Sequence, residues 1–213
     1  MPRVADHDAR RRQIADAVIG LVAGSGLDAA TVAHVAKQAG VSVGLVQHYF
    51  TSKDDLLLFA YQQVTADVGE RVAGHITQGE ARKGTISDVV FASMLELLPI
   101  DDRRRGECRV MRAFLGRSVD NATLAAVASA TSQRIHRELA TAVHNGKECG
   151  EVESDADVDM SALRIAALVD GLAGQLYQAP GRAVGVRALP DAAEAVLEAC
   201  LNGIFTGECR QYR

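Results

Sequence analysis

Between Val32 and Tyr49 the chain reads VAHVAKQAGVSVGLVQHY, and this stretch constrains the fold more than any other. Two short helical patterns, Thr31 to Gly40 and Val43 to Phe50, are separated by almost no chain, so their helices must cross steeply around a tight turn. Ala36 is small where the helices come closest, and Gly40 can take the positive φ that such a turn requires. Val35, Ala39, Val41, Val46 and Tyr49 supply an apolar wedge between them. Ser42 can cap the second helix, leaving its opening residues free to meet base edges in a DNA groove. An ordinary helical hairpin does not need all these features together.

Helical spacing also governs the rest of the chain, and strand alternation is nearly absent. Ile14, Val18, Leu21 and Val22 mark a first helix that stops at Gly24-Ser25-Gly26. Ser52, with Asp55 three positions on, forms a capping box for a fourth helix. Its stripe of Leu57, Tyr61, Val64, Val68 and Val72 predicts a run to about His75, with Thr77 to Gly84 as a loop. Thr85 and Asp88 open a helix through Leu98 that Pro99 closes. Two further helices follow, over Arg103–Arg117 and from Ala122 to about His144. The polar, turn-rich stretch from Asn145 to Asp155 reads as a connection. Ala156 to about Tyr177 is strongly apolar, Pro180, Gly181 and Gly185 mark a loop, and Pro190 starts a final helix. The expected fold is all-α: a three-helix head with a helix-turn-helix over residues 1–53, and a helical body over 54–213. The boundary falls inside the fourth helix, which serves both.

Charge is divided in the same way. Residues 1–53 carry six Lys/Arg against four Asp, giving +2, while the remaining 160 carry 17 basic against 23 acidic residues, giving −6. A basic head on an acidic body suits a small phosphate-contacting module on a domain that avoids DNA. No long uncharged apolar run exists to span a membrane. The polar N-terminus leads into Arg10, Arg11 and Arg12 with no apolar stretch directly after, so a cytoplasmic rather than exported chain is expected. Cys108, Cys149, Cys200 and Cys209 form no Cys-x-x-Cys pair and no zinc-finger spacing with His, so neither a metal site nor a cofactor is expected. They read as reduced thiols in a reducing compartment, with oxidation sensing by Cys108 or Cys149 as the alternative.

The segment from Ile14 to Leu58 resembles the DNA-binding head of the TetR family of bacterial regulators. The resemblance rests on Ile14 through Leu21, Gly26, Thr31, Val35-Ala36, Ala39-Gly40-Val41-Ser42, Tyr49-Phe50, Ser52-Lys53 and Leu56-Leu57. The pattern Leu168-Val-Asp-Gly-Leu and the apolar final helix look like the branch of betaine-pathway repressors. This resemblance implies a dimeric repressor that binds double-stranded operator DNA and is released by a small-molecule effector. Thr31 matches a position that meets a phosphate at a helix N-terminus. Ser42, Val43, Gly44, Gln47 and His48 match positions facing the major groove, Tyr49 an aromatic whose hydroxyl reaches phosphate, and Lys53 the phosphate-binding lysine of the fourth helix. Gln47 stands where the family usually has an aromatic; it can read adenine N6 and N7, or only touch phosphate or water. His34, His48 and the three arginines are either DNA contacts or solvated surface.

The body is expected to bind the ligand and to form the dimer. Ala166 to Tyr177 is apolar nearly all round, broken by Asp170 and Gln175, and its simplest cover is a second copy of itself together with the final helix. The resemblance places an effector pocket between the fourth helix and those after it, with Tyr61, Met94, Met111, Arg112, Phe114 and Gln175 as candidate lining. Asp170 can oppose a cationic ligand or serve the interface. A quaternary ammonium needs an aromatic cage, and a chain with no Trp and 4% aromatics gives no ground to name choline. An enzyme is not expected: there is no Glu-x-x-His pair, nucleophile elbow or phosphate loop.

Overall fold

Residues 3–210 are described by a computed structural model; of the polar N-terminal stretch, Met1 and Pro2 lie outside them. The helices are α1 (Arg3–Ser25), α2 (Val32–Ala39), α3 (Val43–Tyr49), α4 (Lys53–Arg82), α5 (Ile86–Leu95), α6 (Asp102–Ser118), α7 (Ala122–Cys149), α8 (Val158–Gln178) and α9 (Leu189–Asn202). The all-helical expectation is met, with one small exception. Where a plain loop was expected, β1 (Ala183–Val184) pairs antiparallel with β2 (Arg187–Ala188), joined by Gly185 at φ 61. So short a ribbon leaves no alternation to read, and all four of its residues are exposed.

Two helices run further than their turn signals predict. The fourth does not stop at His75 but continues to Arg82. Thr77 sits inside the helix with its hydroxyl donated back to the Ala73 carbonyl at 3.0 Å. Gly79 lies so close to α5 that an added Cβ would stand 2.2 Å from Val89 Cγ2, so this glycine marks close packing and not a break. Likewise α7 passes His144 and ends at Cys149, and Gly146 within it is a packing glycine, since a Cβ there would meet Val152 and Phe205 at 2.7 and 3.0 Å. The true stop is Gly150, at φ 93.

The chain divides into two compact units. The first comprises residues up to Asp67 together with 101–126, and the second comprises 68–100 and 127 onward. In the first, α1 buries Ile14, Val18 and Val22, and α6 lies on it with Val110 and Phe114 fully buried. Arg109 donates to the Ala23 carbonyl at 2.8 Å, satisfying an orphan acceptor at the end of α1. In the second, α5, α7, α8 and α9 enclose Leu98, Val143, Ile165, Leu197 and Leu201. Glu151 is buried there, and its two oxygens accept the Ile86 and Ser87 N–H groups at 2.9 and 3.0 Å, closing the start of α5.

Candidate nucleic-acid interface

The two helices of the turn each start on a side-chain cap. Thr31 accepts the His34 N–H at 3.3 Å and so opens α2. Gly40 ends α2 in the left-handed conformation, at φ 65 and ψ 32, and its N–H and that of Val41 return to carbonyls of the last turn. Two residues later Ser42 accepts the Leu45 N–H at 3.1 Å and starts α3. Turn and cap therefore fit into three residues, and Val35, Ala36, Ala39 and Val46 fill the angle between the helices. Gln13 of α1 fixes the pair from behind, donating to the Ala39 carbonyl at 2.7 Å.

This packing decides what α3 leaves outside. Ser42, Val43, Gly44, Gln47 and His48 are all exposed, whereas Val46 is buried. Five of the eight residues expected to contact DNA thus lie on or beside one short helix, on the side turned from the core. Tyr49 is half-buried against the rings of His48 and Phe50. Thr31 is exposed at the start of α2. Lys53 opens α4 and holds Asp28 at 3.3 Å, a solvent-exposed pair that can be exchanged for a phosphate. Of the expected capping box before α4, the Ser52 cap forms, accepting the Asp55 N–H at 3.0 Å, but the return bond shifts by one residue: Asp55 accepts the Thr51 N–H, not that of Ser52. The hydrogen bond from the Thr51 hydroxyl is the main reason the Asp55 carboxyl lies below its usual range.

Two family models match the chain. That for bacterial regulatory proteins of the tetR family covers residues 14–59, and that for the C-terminal part of BetI-type transcriptional repressors covers 88–205, more than half of the chain. The chain belongs to the TetR family. The HTH-type transcriptional regulator PksA of Bacillus subtilis (strain 168) is 31% identical over 173 residues, 81% of each chain. A crystal structure of a transcriptional regulator from Rhodococcus sp. Rha1 matches with a TM-score of 0.75 at 30% identity, covering 92% of this chain and 96% of that one. A regulator from Saccharomonospora viridis, solved in complex with choline, shares the fold: TM-score 0.75 at 22% identity, covering 90% and 95%. This TetR-family chain is a DNA-binding transcriptional regulator and not an enzyme. Among its described residues no helix is long and apolar enough to cross a membrane.

The seven residues considered for the effector are distributed between the two units. Tyr61 and Phe114 come together, their rings stacked at 3.8 Å and 10°, with Met111 half-buried and Arg112 exposed on the same helix as Phe114. In the other unit Met94 belongs to the apolar core. Gln175 is exposed and accepts from Arg182 at 3.0 Å. Asp170 is open to solvent on its outer side, and the burial of the remainder raises its carboxyl pKa.

Several working residues left no local signal in the sequence. Arg11, grouped with Arg10 and Arg12 as a basic run, lies over the Phe59 ring at 4.7 Å. Asp54 accepts from Arg117 at 2.9 and 3.1 Å and from Asn121 at 3.0 Å, tying the start of α4 to the end of α6. The Arg117 hydrogen bond is the main reason its carboxyl lies below the ordinary value. Burial pushes the Cys108 thiol up, and pushes Cys149 up to about 11.

Proposed function

We propose that the chain is a cytoplasmic repressor that binds a palindromic operator as a homodimer and releases it when a small molecule binds the body. The observation that carries this reading is the α2–Gly40–α3 turn, which leaves Ser42, Val43, Gly44, Gln47 and His48 exposed on one short helix. In this reading α3 enters the major groove and Gln47 reads an adenine edge, while Thr31, Tyr49 and Lys53 hold flanking phosphates. One head spans too few base pairs for a specific site. Two heads on a twofold axis reach half-sites one helical turn apart, roughly 34–36 Å. Met160, Leu163 and Val196 are 61%, 52% and 47% exposed on α8 and α9, apolar surface that supports pairing with a second copy there. A dimer seated on a promoter blocks it without touching the polymerase.

Release requires only that the effector bind better to a state whose heads no longer match the two grooves. A coupling of about 1–3 kcal/mol weakens operator binding about 5- to 150-fold. The helix α4 starts with Lys53 and continues without interruption to Arg82, which makes it the carrier of that change. Tyr61, Met111, Arg112 and Phe114 in one unit, and Met94, Asp170 and Gln175 in the other, remain the residues to test. The choline of the Saccharomonospora relative is not carried over, because this chain has no Trp with which to build a strong cage.

The test is a mobility-shift titration of the full-length protein on DNA upstream of its own gene. Gln47→Ala is expected to weaken specific binding by about 1–3 kcal/mol, about 5- to 150-fold, while leaving nonspecific binding intact. Sedimentation should give two chains per particle. A protein that remained monomeric, or bound every fragment equally with or without Gln47, would overturn the reading.

A further inference from the structure

Far from the DNA-binding motif, three potential ligand groups converge. Cys149 closes α7, Glu151 follows the left-handed Gly150, and Cys209 returns on the C-terminal stretch. Their two Sγ atoms and a carboxylate oxygen lie within 4.8 Å of one another. The backbone keeps them there. Arg210 N–H donates to the Cys149 carbonyl at 2.7 Å, and Gly207 N–H to that of Glu151 at 2.9 Å. Gly207 comes so near Gly150 that a Cβ would stand 2.1 Å from its carbonyl oxygen. The group opens onto a cavity of about 750 Å³ that also carries Glu80, Glu138 and Glu148, with Arg210 as its cation.

We propose that Cys149, Cys209 and Glu151 hold a thiophilic divalent cation of the zinc class. Two thiolates select a borderline or soft metal over magnesium or calcium. With metal–sulfur bonds of about 2.3 Å, two sulfurs on a tetrahedral ion stand roughly 3.7 Å apart, so the pair needs little movement to close. Glu151 is 2% exposed and aimed by the Ile86 and Ser87 N–H groups. Oε1 also accepts the Cys149 S–H at 3.6 Å, a contact that ends when the thiol loses its proton, so Glu151 can bind the ion without giving up the start of α5. The end of α7 adds the negative pole of a helix. On binding, each thiol gives its proton to solvent as its sulfur bonds the metal, and a fourth position faces the cavity for water. The ion then ties the C-terminal stretch to the end of α7 and the start of α5. This site does not depend on the operator reading.

The experiment is a Co²⁺ titration of the reduced, metal-stripped full-length protein. A thiolate-to-cobalt absorption saturating at one equivalent per chain, and displaced by Zn²⁺, is expected. Cys209→Ser should abolish it, since Cys209 is only half-buried and its loss leaves the core intact, whereas Cys200→Ala should keep it. Zn²⁺ should raise the melting temperature of the wild type but not of Cys209→Ser. No absorption in reduced wild type, an absorption undiminished in both Cys149→Ser and Cys209→Ser, or a Cys149–Cys209 disulfide as the pair's sole chemistry would each overturn the proposal.

Discussion

Gly40 is the residue on which the head's geometry turns, and its replacement has a cost that can be worked out. Its φ of 65 and ψ of 32 lie in the left-handed region. Nothing lies within 4 Å of a Cβ placed there, so Gly40→Ala meets no clash. The whole penalty is conformational, about 1–2 kcal/mol for an L-residue held left-handed. For a chain of this size each kcal/mol moves the melting temperature by about 2–4 °C, so a fall of about 2–8 °C is expected. Asn tolerates this conformation better than Ala, because its side chain can bond locally, so Gly40→Asn should recover part of the loss. Thermal unfolding followed by circular dichroism measures all three proteins at one concentration. Equal melting temperatures for wild type and Gly40→Ala, or a Gly40→Asn variant less stable than Gly40→Ala, would refute the argument that the turn is left-handed by necessity.

Lys53→Ala should leave the fold unchanged and reduce the slope of log affinity against log salt by about 1, measured by fluorescence anisotropy on an operator fragment; an unchanged slope means Lys53 meets no phosphate. Phe114→Ala should cost about 3–5 kcal/mol in urea unfolding, because Phe114 is fully buried and stacked on Tyr61. Asp54→Asn tests the tie to Arg117 and Asn121. The folded pKa of Asp54 is depressed, so its stabilisation is present above the ordinary value of 3.8 and is lost as pH falls through the lower folded value. Urea midpoints over that acid range should therefore fall less steeply with decreasing pH in Asp54→Asn than in wild type, while above it the variant is the less stable protein.

The helix-turn-helix was legible because its determinants are neighbours. Thr31, Gly40 and Ser42 act on N–H and carbonyl groups within a few residues, so their chemistry can be read directly from the chain. The same locality made the helix caps at Ser52 and Thr85 visible. Glycines away from the turn misled, since a glycine required by a neighbouring side chain looks the same in sequence as one required by a bend. Gly79 against Val89 and Gly146 against Phe205 are the cases where α4 and α7 outran their expected ends.

The sequence by itself determined an all-helical chain, where its short helices turn, and which face of α3 meets solvent, because periodicity and caps are local. Only the tertiary structure decided that Asp54 meets Arg117, that Glu151 closes α5, and that Cys149 and Cys209 stand together. Those contacts join residues far apart along the chain. They exist because packed helices bring their ends to the same place, and no local pattern records that.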